Sequence, residues 1–252
     1  MPKAYLLDLD GTLYTDAGAV PGGPATIRRL RELGIPFRCV TNTTSRSRQG
    51  LVDRLAGFGY DIAPEEIHTP VNAALTLCRE KGVRRVLALV PAATLPDLVG
   101  LELIAADDGT PDAVILGDLG ERWDFGLLQE AFTAVMGGAA LLALSKDRYF
   151  LSAGRLTLDA GPFVAGLEYA TGQAATVVGK PSAAFYRAAL ASLGAPAGSV
   201  VMVGDDLWSD IKGAQEAGLD AWLVRTGKFR EDRLKDSGVV PQRVIDSVAE
   251  VG

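Results

Sequence analysis

The chain has 252 residues, a net charge of −6 and 48% hydrophobic residues, enough for one large core or two modest ones without disulfide or metal staples. The acidic balance argues against a nucleic-acid partner, since the nearest basic cluster, Arg28, Arg29 and Arg31, reads as the solvated face of a helix. No apolar run approaches the ~20 residues of a membrane span, and Met1-Pro2-Lys3 followed soon by two acids does not read as a signal peptide. Cys39 and Cys78 stand apart without paired spacing, so reduced, packed thiols and a cytoplasmic setting are expected.

In chain order, residues 4–7 form a first apolar strand that runs into Asp8-Leu9-Asp10-Gly11-Thr12. A strand has period two, so Asp8 and Asp10 share a face at its tip, and Gly11 lets the chain turn just after them. Two carboxylates this close call for a cation or a phosphoryl group, although Asp and Gly alone are ordinary turn residues. A helix on Ile27, Leu30 and Leu33 leads to a second strand at 37–40, which delivers Thr41, Asn42 and Thr43. Hydroxyls, an amide and free backbone N–H groups suit phosphate oxygens. Thr44 or Ser45 is equally suited to cap the following helix, which carries Leu51, Leu55 and Phe58.

Further along, residues 85–90, 113–116 and 141–144 read as strands, and 125–136 and 163–170 as helices. Residues 175–178 read as another strand, ending in Gly179-Lys180-Pro181, followed by a helix on Ala184, Ala188 and Leu193. Residues 200–203 then run into Gly204-Asp205-Asp206 and Asp210, with a helix on Ile211, Ala214 and Ala217 stopped by Gly218 and a last strand at 221–224. Three more carboxylates at a strand mouth are oxygen ligands of the kind Mg²⁺ takes. The strands at 4–7, 37–40, 176–178, 200–203 and 221–224 are apolar on both faces, which predicts an α/β, Rossmann-like parallel-sheet core covered by helices. Sites in such sheets form outside the carboxyl ends of the strands, where all four polar segments fall. Asn42 and Lys180 lie 138 positions apart, more than one strand and helix need. A second α/β unit is therefore expected at 71–175, inserted into a discontinuous core of 1–70 and 176–252.

Charge considerations give each side chain a role. A carboxylate cannot approach a phosphate dianion unless cations offset the repulsion, and Mg²⁺ and Lys180 are the available ones. Asp8 is assigned as a nucleophile forming an aspartyl-phosphate, and Asp10 as the acid that protonates the leaving group and then activates water. Asp8, Asp205 and the main-chain carbonyl of Asp10 are expected to hold Mg²⁺. Asp206 and Asp210 are either ligands through water or partners that orient Lys180. Thr41, Asn42 and Thr43 are expected on phosphoryl oxygens, with Lys180 stabilising charge there. Lys146 and Arg148, near Tyr149, either meet a second negative group on the substrate or form a solvated hairpin. Trp208 and Tyr14 read as flanking or packing residues, and His68, the only histidine, as structural near a domain junction.

The set Asp8-Leu9-Asp10-Gly11-Thr12, Thr41-Asn42, Lys180 and Gly204-Asp205-Asp206 with Asp210 resembles, in order and spacing, the four motifs of the haloacid dehalogenase (HAD) superfamily. Tyr14, residues 40–45, 156–172 and 178–181 are similar to its NagD-like subfamily IIA, and within that to phosphatases of pyrophosphate and phosphoamides. The resemblance implies a HAD-like core with a large inserted cap of the C2a type that excludes water and chooses the substrate. It also implies a small phosphorylated substrate and a homodimer through the cap. Asp10 favours a phosphatase over a dehalogenase, because halide leaves without a proton. Residues 15–24 are too short for the helical cap of a mutase. The rival readings are a sugar or nucleotide monophosphatase with the same core, and a non-catalytic phosphate-binding protein.

Overall fold

The structure, a computed structural model, describes residues 2–152 and 155–252. Its first stretch carries strand β1 (Ala4–Asp8), a hairpin of β2 (Tyr14–Thr15) and β3 (Gly18–Ala19), helix α1 (Gly23–Glu32), β4 (Phe37–Val40), α2 (Arg48–Gly57) and β5 (Ile67–His68). Next come α3 (Pro70–Lys81), β6 (Arg85–Leu89), β7 (Glu102–Leu103), β8 (Ala113–Leu116), α4 (Phe125–Met136) and β9 (Ala140–Ala143). These are followed by β10 (Tyr149–Ser152), β11 (Arg155–Leu158), α5 (Gly161–Thr171) and β12 (Thr176–Val177). The last stretch holds α6 (Ala183–Leu193), β13 (Val200–Gly204), a π-helical turn at Leu207–Lys212 leading into α7 (Gly213–Glu216), β14 (Asp220–Val224), α8 (Glu231–Ser237) and β15 (Arg243–Ile245).

Two compact units divide the chain: Met1–Thr41, Arg48–His68 and Lys180–Gly252 form one, Asn42–Ser47 and Thr69–Gly179 the other. The first is built on a six-stranded sheet in the order β15-β14-β13-β1-β4-β5, every pair parallel. β1 is buried along its whole length, as its apolar sequence requires of a central strand covered on both faces. The register sets Leu7 opposite Val203 on one side and Asp8 opposite Val40 on the other. The chain leaves β1 towards β4 and β5, then returns to add β13, β14 and β15 on the opposite side. β1 is thus a topological switch point, with a crevice at its carboxyl end. One apolar cluster includes Leu9, Leu13, Ile27, Leu30, Leu51 and Leu55. Each such buried side chain contributes about 1.5–3 kcal/mol, so the loop after β1 is anchored through Leu9 and Leu13.

The second unit has its own parallel five-stranded sheet, in the order β12-β9-β8-β6-β7, with β10 and β11 as a separate antiparallel pair. Leu87, Val114, Leu116, Leu141, Val164 and Leu167 fill its core. Among the described residues no helix is long and apolar enough to cross a membrane.

Three local expectations are corrected. The strand near residue 176 does not join the sheet of β1, where β4 and β13 already flank β1. It pairs with β9 instead, Thr176 opposite Leu142, and the Val178 amide continues the ladder to the Ala143 carbonyl. The helix carrying Leu51 and Leu55 begins at Arg48, so neither Thr44 nor Ser45 caps it, and the Thr44 hydroxyl instead receives the Asp118 amide at 3.5 Å. The helix expected around Ile211 opens as a π-helical turn, because the Asp206 carbonyl accepts from the amides of both Asp210 and Ile211.

Candidate active site

Four acids and one lysine of the first unit meet at the carboxyl ends of β1 and β13. β1 ends at Asp8, and β13 ends at Gly204, so Asp205 is the first residue past its strand. Asp206 caps the π-helical turn, its Oδ1 accepting from the amides of Trp208 (2.9 Å) and Ser209 (3.0 Å). That turn carries Asp210 inward. Tyr186 braces it from α6, its hydroxyl donating to the Ser209 carbonyl at 2.5 Å.

Lys180 Nζ lies 2.5 Å from Asp8 Oδ1 and 2.6 Å from Asp210 Oδ1, with all three side chains at most 8% exposed. Asp210 Oδ2 accepts the Asp206 amide at 3.1 Å, so both of its oxygens have protein partners. Asp8, Asp205 and Asp210 each offer a carboxylate oxygen within 4.8 Å of the others. Three carboxylates against one ammonium leave a formal surplus of two negative charges in a buried place. Burial, then Asp210, raises Asp8 well above the usual carboxylate range despite the pull of Lys180, while burial and Asp210 push Asp205 up to about 6. Burial disfavours the Lys180 ammonium, but Asp210 and Asp8 outweigh it and keep the lysine charged. The oxygen-only donors and the uncompensated charge fit a divalent cation. Asp206 follows the opposite course. Despite burial, Lys228 and the two capping amides lower it to about 2.

Asp10 lies outside this cluster, exposed in the loop after β1 and hydrogen bonded to the Tyr14 side chain. Thr41 is buried immediately past β4, its amide donating to the His68 carbonyl at 3.2 Å. Asn42 and Thr43 belong to the second unit, where a Cβ on Gly179 would stand 3.0 Å from Asn42 Oδ1. Lys146 and Arg148 are also there, exposed, and Lys146 is engaged by Glu168 at 2.6 Å. His68 is buried edge-on against Phe185, with ring centroids 4.9 Å apart, and lies outside the acidic cluster.

Sequence reasoning missed the loop after β14. The Thr226 hydroxyl donates to the Gly11 carbonyl at 2.5 Å, and Lys228 donates its amide to Asp205 Oδ2 at 2.7 Å and its ammonium to Asp206 Oδ2 at 2.9 Å. The available signal was positional, since Thr226-Gly227 follows a buried strand as the other site segments do.

A parallel α/β sheet with a lysine-bridged acid cluster at its switch point offers oxygen donors for a divalent cation outside the carboxyl ends of its strands. Residues 5–101 match the family description haloacid dehalogenase-like hydrolase, and residues 177–251 match HAD-hydrolase-like. The bovine (Bos taurus) haloacid dehalogenase-like hydrolase domain-containing protein 2 is 43% identical over 235 residues, 92% of this chain and 88% of that protein. Human (Homo sapiens) phospholysine phosphohistidine inorganic pyrophosphate phosphatase is 36% identical over 255 residues, 98% of this chain and 92% of that protein. NagD from E. coli K-12 superposes with a TM-score of 0.90 at 29% identity, covering 100% of this chain and 99% of that one. The chain belongs to the haloacid dehalogenase-like hydrolase family, and its NagD-like character, expected from the motifs, is borne out.

Proposed function

We propose that this enzyme is a Mg²⁺-dependent phosphatase that hydrolyses a small phosphorylated metabolite, pyrophosphate or a phosphoamide, through an aspartyl-phosphate on Asp8. The observation that carries the reading is the buried Lys180 ammonium bridging Asp8 and Asp210 beside Asp205. A carboxylate nucleophile needs this cationic neighbour to meet a phosphoryl group, and the similarity to a pyrophosphate and phosphoamide phosphatase supports the substrate class.

Asp8 attacks phosphorus in line, and the bond to the leaving atom breaks as the Asp8 acyl phosphate, a mixed anhydride, forms. Asp10 gives its proton to the departing oxygen or nitrogen. Its exposed place in the Gly11 turn suits a group that must reach the leaving atom and then solvent. Asp10, now a carboxylate, takes a proton from water, whose oxygen attacks phosphorus and frees inorganic phosphate and the Asp8 carboxylate. Lys180 offsets charge on Asp8 and on the phosphoryl oxygens throughout, while Asp210 holds the ammonium in place. Thr41, with Asn42 and Thr43 following it in the chain, supplies donors for the phosphoryl oxygens. Asp8, Asp205 and the Asp10 carbonyl would hold Mg²⁺, which when bound offsets the surplus negative charge of the site and of the substrate. Substrate choice is assigned to the inserted unit as a cap; with Lys146 tied to Glu168, Arg148 is its candidate for a second anionic group. A cytoplasmic setting is supported by the two buried, unpaired thiols of Cys39 and Cys78.

The test is phosphate release from pyrophosphate, phosphoamides, sugar phosphates and nucleotides, with Mg²⁺ and with EDTA, against an Asp8→Asn blank. Release from pyrophosphate or a phosphoamide that disappears with EDTA and in the blank is the expected result. Release that survives Asp8→Asn would sink the covalent mechanism. Exclusive release from sugar phosphates or nucleotides would reassign the substrate class, and no release from any compound would turn the reading to a binding protein.

A further inference from the structure

We infer that the segment Thr226-Gly227-Lys228 is a positioning clamp that fixes the Asp205 carboxylate for cation binding; this rests on the reading of Asp205 as a metal ligand. The Lys228 amide holds Asp205 Oδ2 at 2.7 Å, which would leave Oδ1 for the cation. The clamp is itself tied to the turn after β1, where Thr226 Oγ1 meets the Gly11 carbonyl at 2.5 Å. Both glycines are required by this approach. At Gly227 (φ +63°) a Cβ would strike Asp205 Oδ2 and stand 2.6 Å from the Gly11 Cα. At Gly11 (φ +87°) a Cβ would strike the same oxygen. Two backbone turns from opposite sides of β13 therefore close on one carboxylate oxygen, with room at that approach for glycine only. The Lys228 ammonium reaches past Asp205 to Asp206 Oδ2 and fixes the neighbouring acid, whose other oxygen caps the Asp210 turn.

Partners that orient a metal-ligating carboxylate typically change affinity by about 10–100-fold when lost. The experiment is calorimetric titration of Mg²⁺ into the full chain, with thermal midpoints taken in EDTA. Gly227→Ala, which pushes Asp205 aside, is expected to weaken the Mg²⁺ Kd by about tenfold or more. Thr226→Val, which frees the clamp from Gly11 at constant shape, is expected to weaken it by at least about threefold with an unchanged midpoint in EDTA. Lys228→Met keeps the amide and removes only the ammonium on Asp206, so it is expected to weaken the Kd by less than Gly227→Ala does. Parent-like Kd values in both Thr226→Val and Gly227→Ala overturn the clamp, and if Gly227→Ala does not fold, Thr226→Val decides alone. A Lys228→Met loss as large as that of Gly227→Ala overturns the amide as the holding group. A parent protein that takes up no Mg²⁺ overturns the metal-site reading, and the clamp with it.

Discussion

Lys180 and Asp210, 30 positions apart in sequence, form an ion pair of 2.6 Å with 4% and 1% of their side chains exposed, and the same ammonium touches Asp8. A buried pair of this kind is a weak source of net stability, because desolvation of both charges opposes their attraction. Its value lies in geometry. Asp210 holds the ammonium beside Asp8, so that carboxylate and the positive charge next to it are placed together.

Breaking the triad is therefore expected to damage activity and fold at once. Lys180→Met leaves Asp8 and Asp210 facing one another without the ammonium, and loss of one partner of a buried pair costs about 3–5 kcal/mol. Urea denaturation in EDTA should show a destabilisation of that order, and phosphate release should fall to the level of Asp8→Asn. Adding Asp210→Asn to Lys180→Met should restore part of the stability and none of the activity. A stable Lys180→Met protein with half the parent rate would contradict this account.

His68 gives a prediction of pH dependence, since it is the only histidine in the chain. Burial, reinforced by Arg38, lowers it from 6.5 to about 4, and its Nε2 is buried without a hydrogen-bond partner. The unfolded chain therefore binds a proton that the folded chain refuses. The stability contribution is complete above pH 6.5 and is lost as pH falls from 6.5 through about 4. The loss amounts to about 3 kcal/mol at 1.36 kcal/mol per pKa unit. The raised Asp8 and Asp205 act with the opposite sign, but they are common to a His68→Leu variant and cancel in the difference. Denaturation of parent and variant from pH 7.5 to 4 should show the parent losing stability relative to His68→Leu; parallel curves would show that His68 does not titrate in this window.

What could be read from the sequence follows the range of the interaction that fixes each feature. Apolar runs ending in Asp8, Thr41 and Asp205 identify strand ends, because burial on both faces and the polar break are local properties. The expectation of a second unit comes from the 138 positions between Asn42 and Lys180, a property of chain length that no single residue carries. The partner of the Thr176–Val177 strand was not legible, since two residues of ordinary β-character fit the edge of either parallel sheet. The Lys228 contact with Asp205 was also hidden, because the donor is a main-chain amide and any residue but proline supplies one. The π-helical turn that aims Asp210 has the same origin: one carbonyl, that of Asp206, receives two amides, and the alternation of Ile211 and Ala214 carries no trace of it.

Asp10 tests the division of labour between the two acids two residues apart. Its side chain is exposed and lies outside the buried cluster, so Asp10→Asn should leave stability within about 0.5 kcal/mol of the parent. In the proposed mechanism the two half-reactions ask different things of it. With p-nitrophenyl phosphate the leaving phenolate needs little proton donation, whereas attack of water on the aspartyl-phosphate still needs a base. Asp10→Asn is therefore expected to transfer the phosphoryl group to Asp8 and then stall, giving a burst of nitrophenol that approaches one equivalent of enzyme. Pyrophosphate and phosphoamides have poorer leaving groups, and their release should fall by about 10²–10⁴-fold without a burst. Rapid-quench kinetics with intact-mass detection of the phosphorylated chain separates the outcomes. An adduct present in Asp10→Asn and absent from Asp8→Asn is the expected pair; parent-like steady turnover of Asp10→Asn on all three substrates would remove Asp10 from the mechanism.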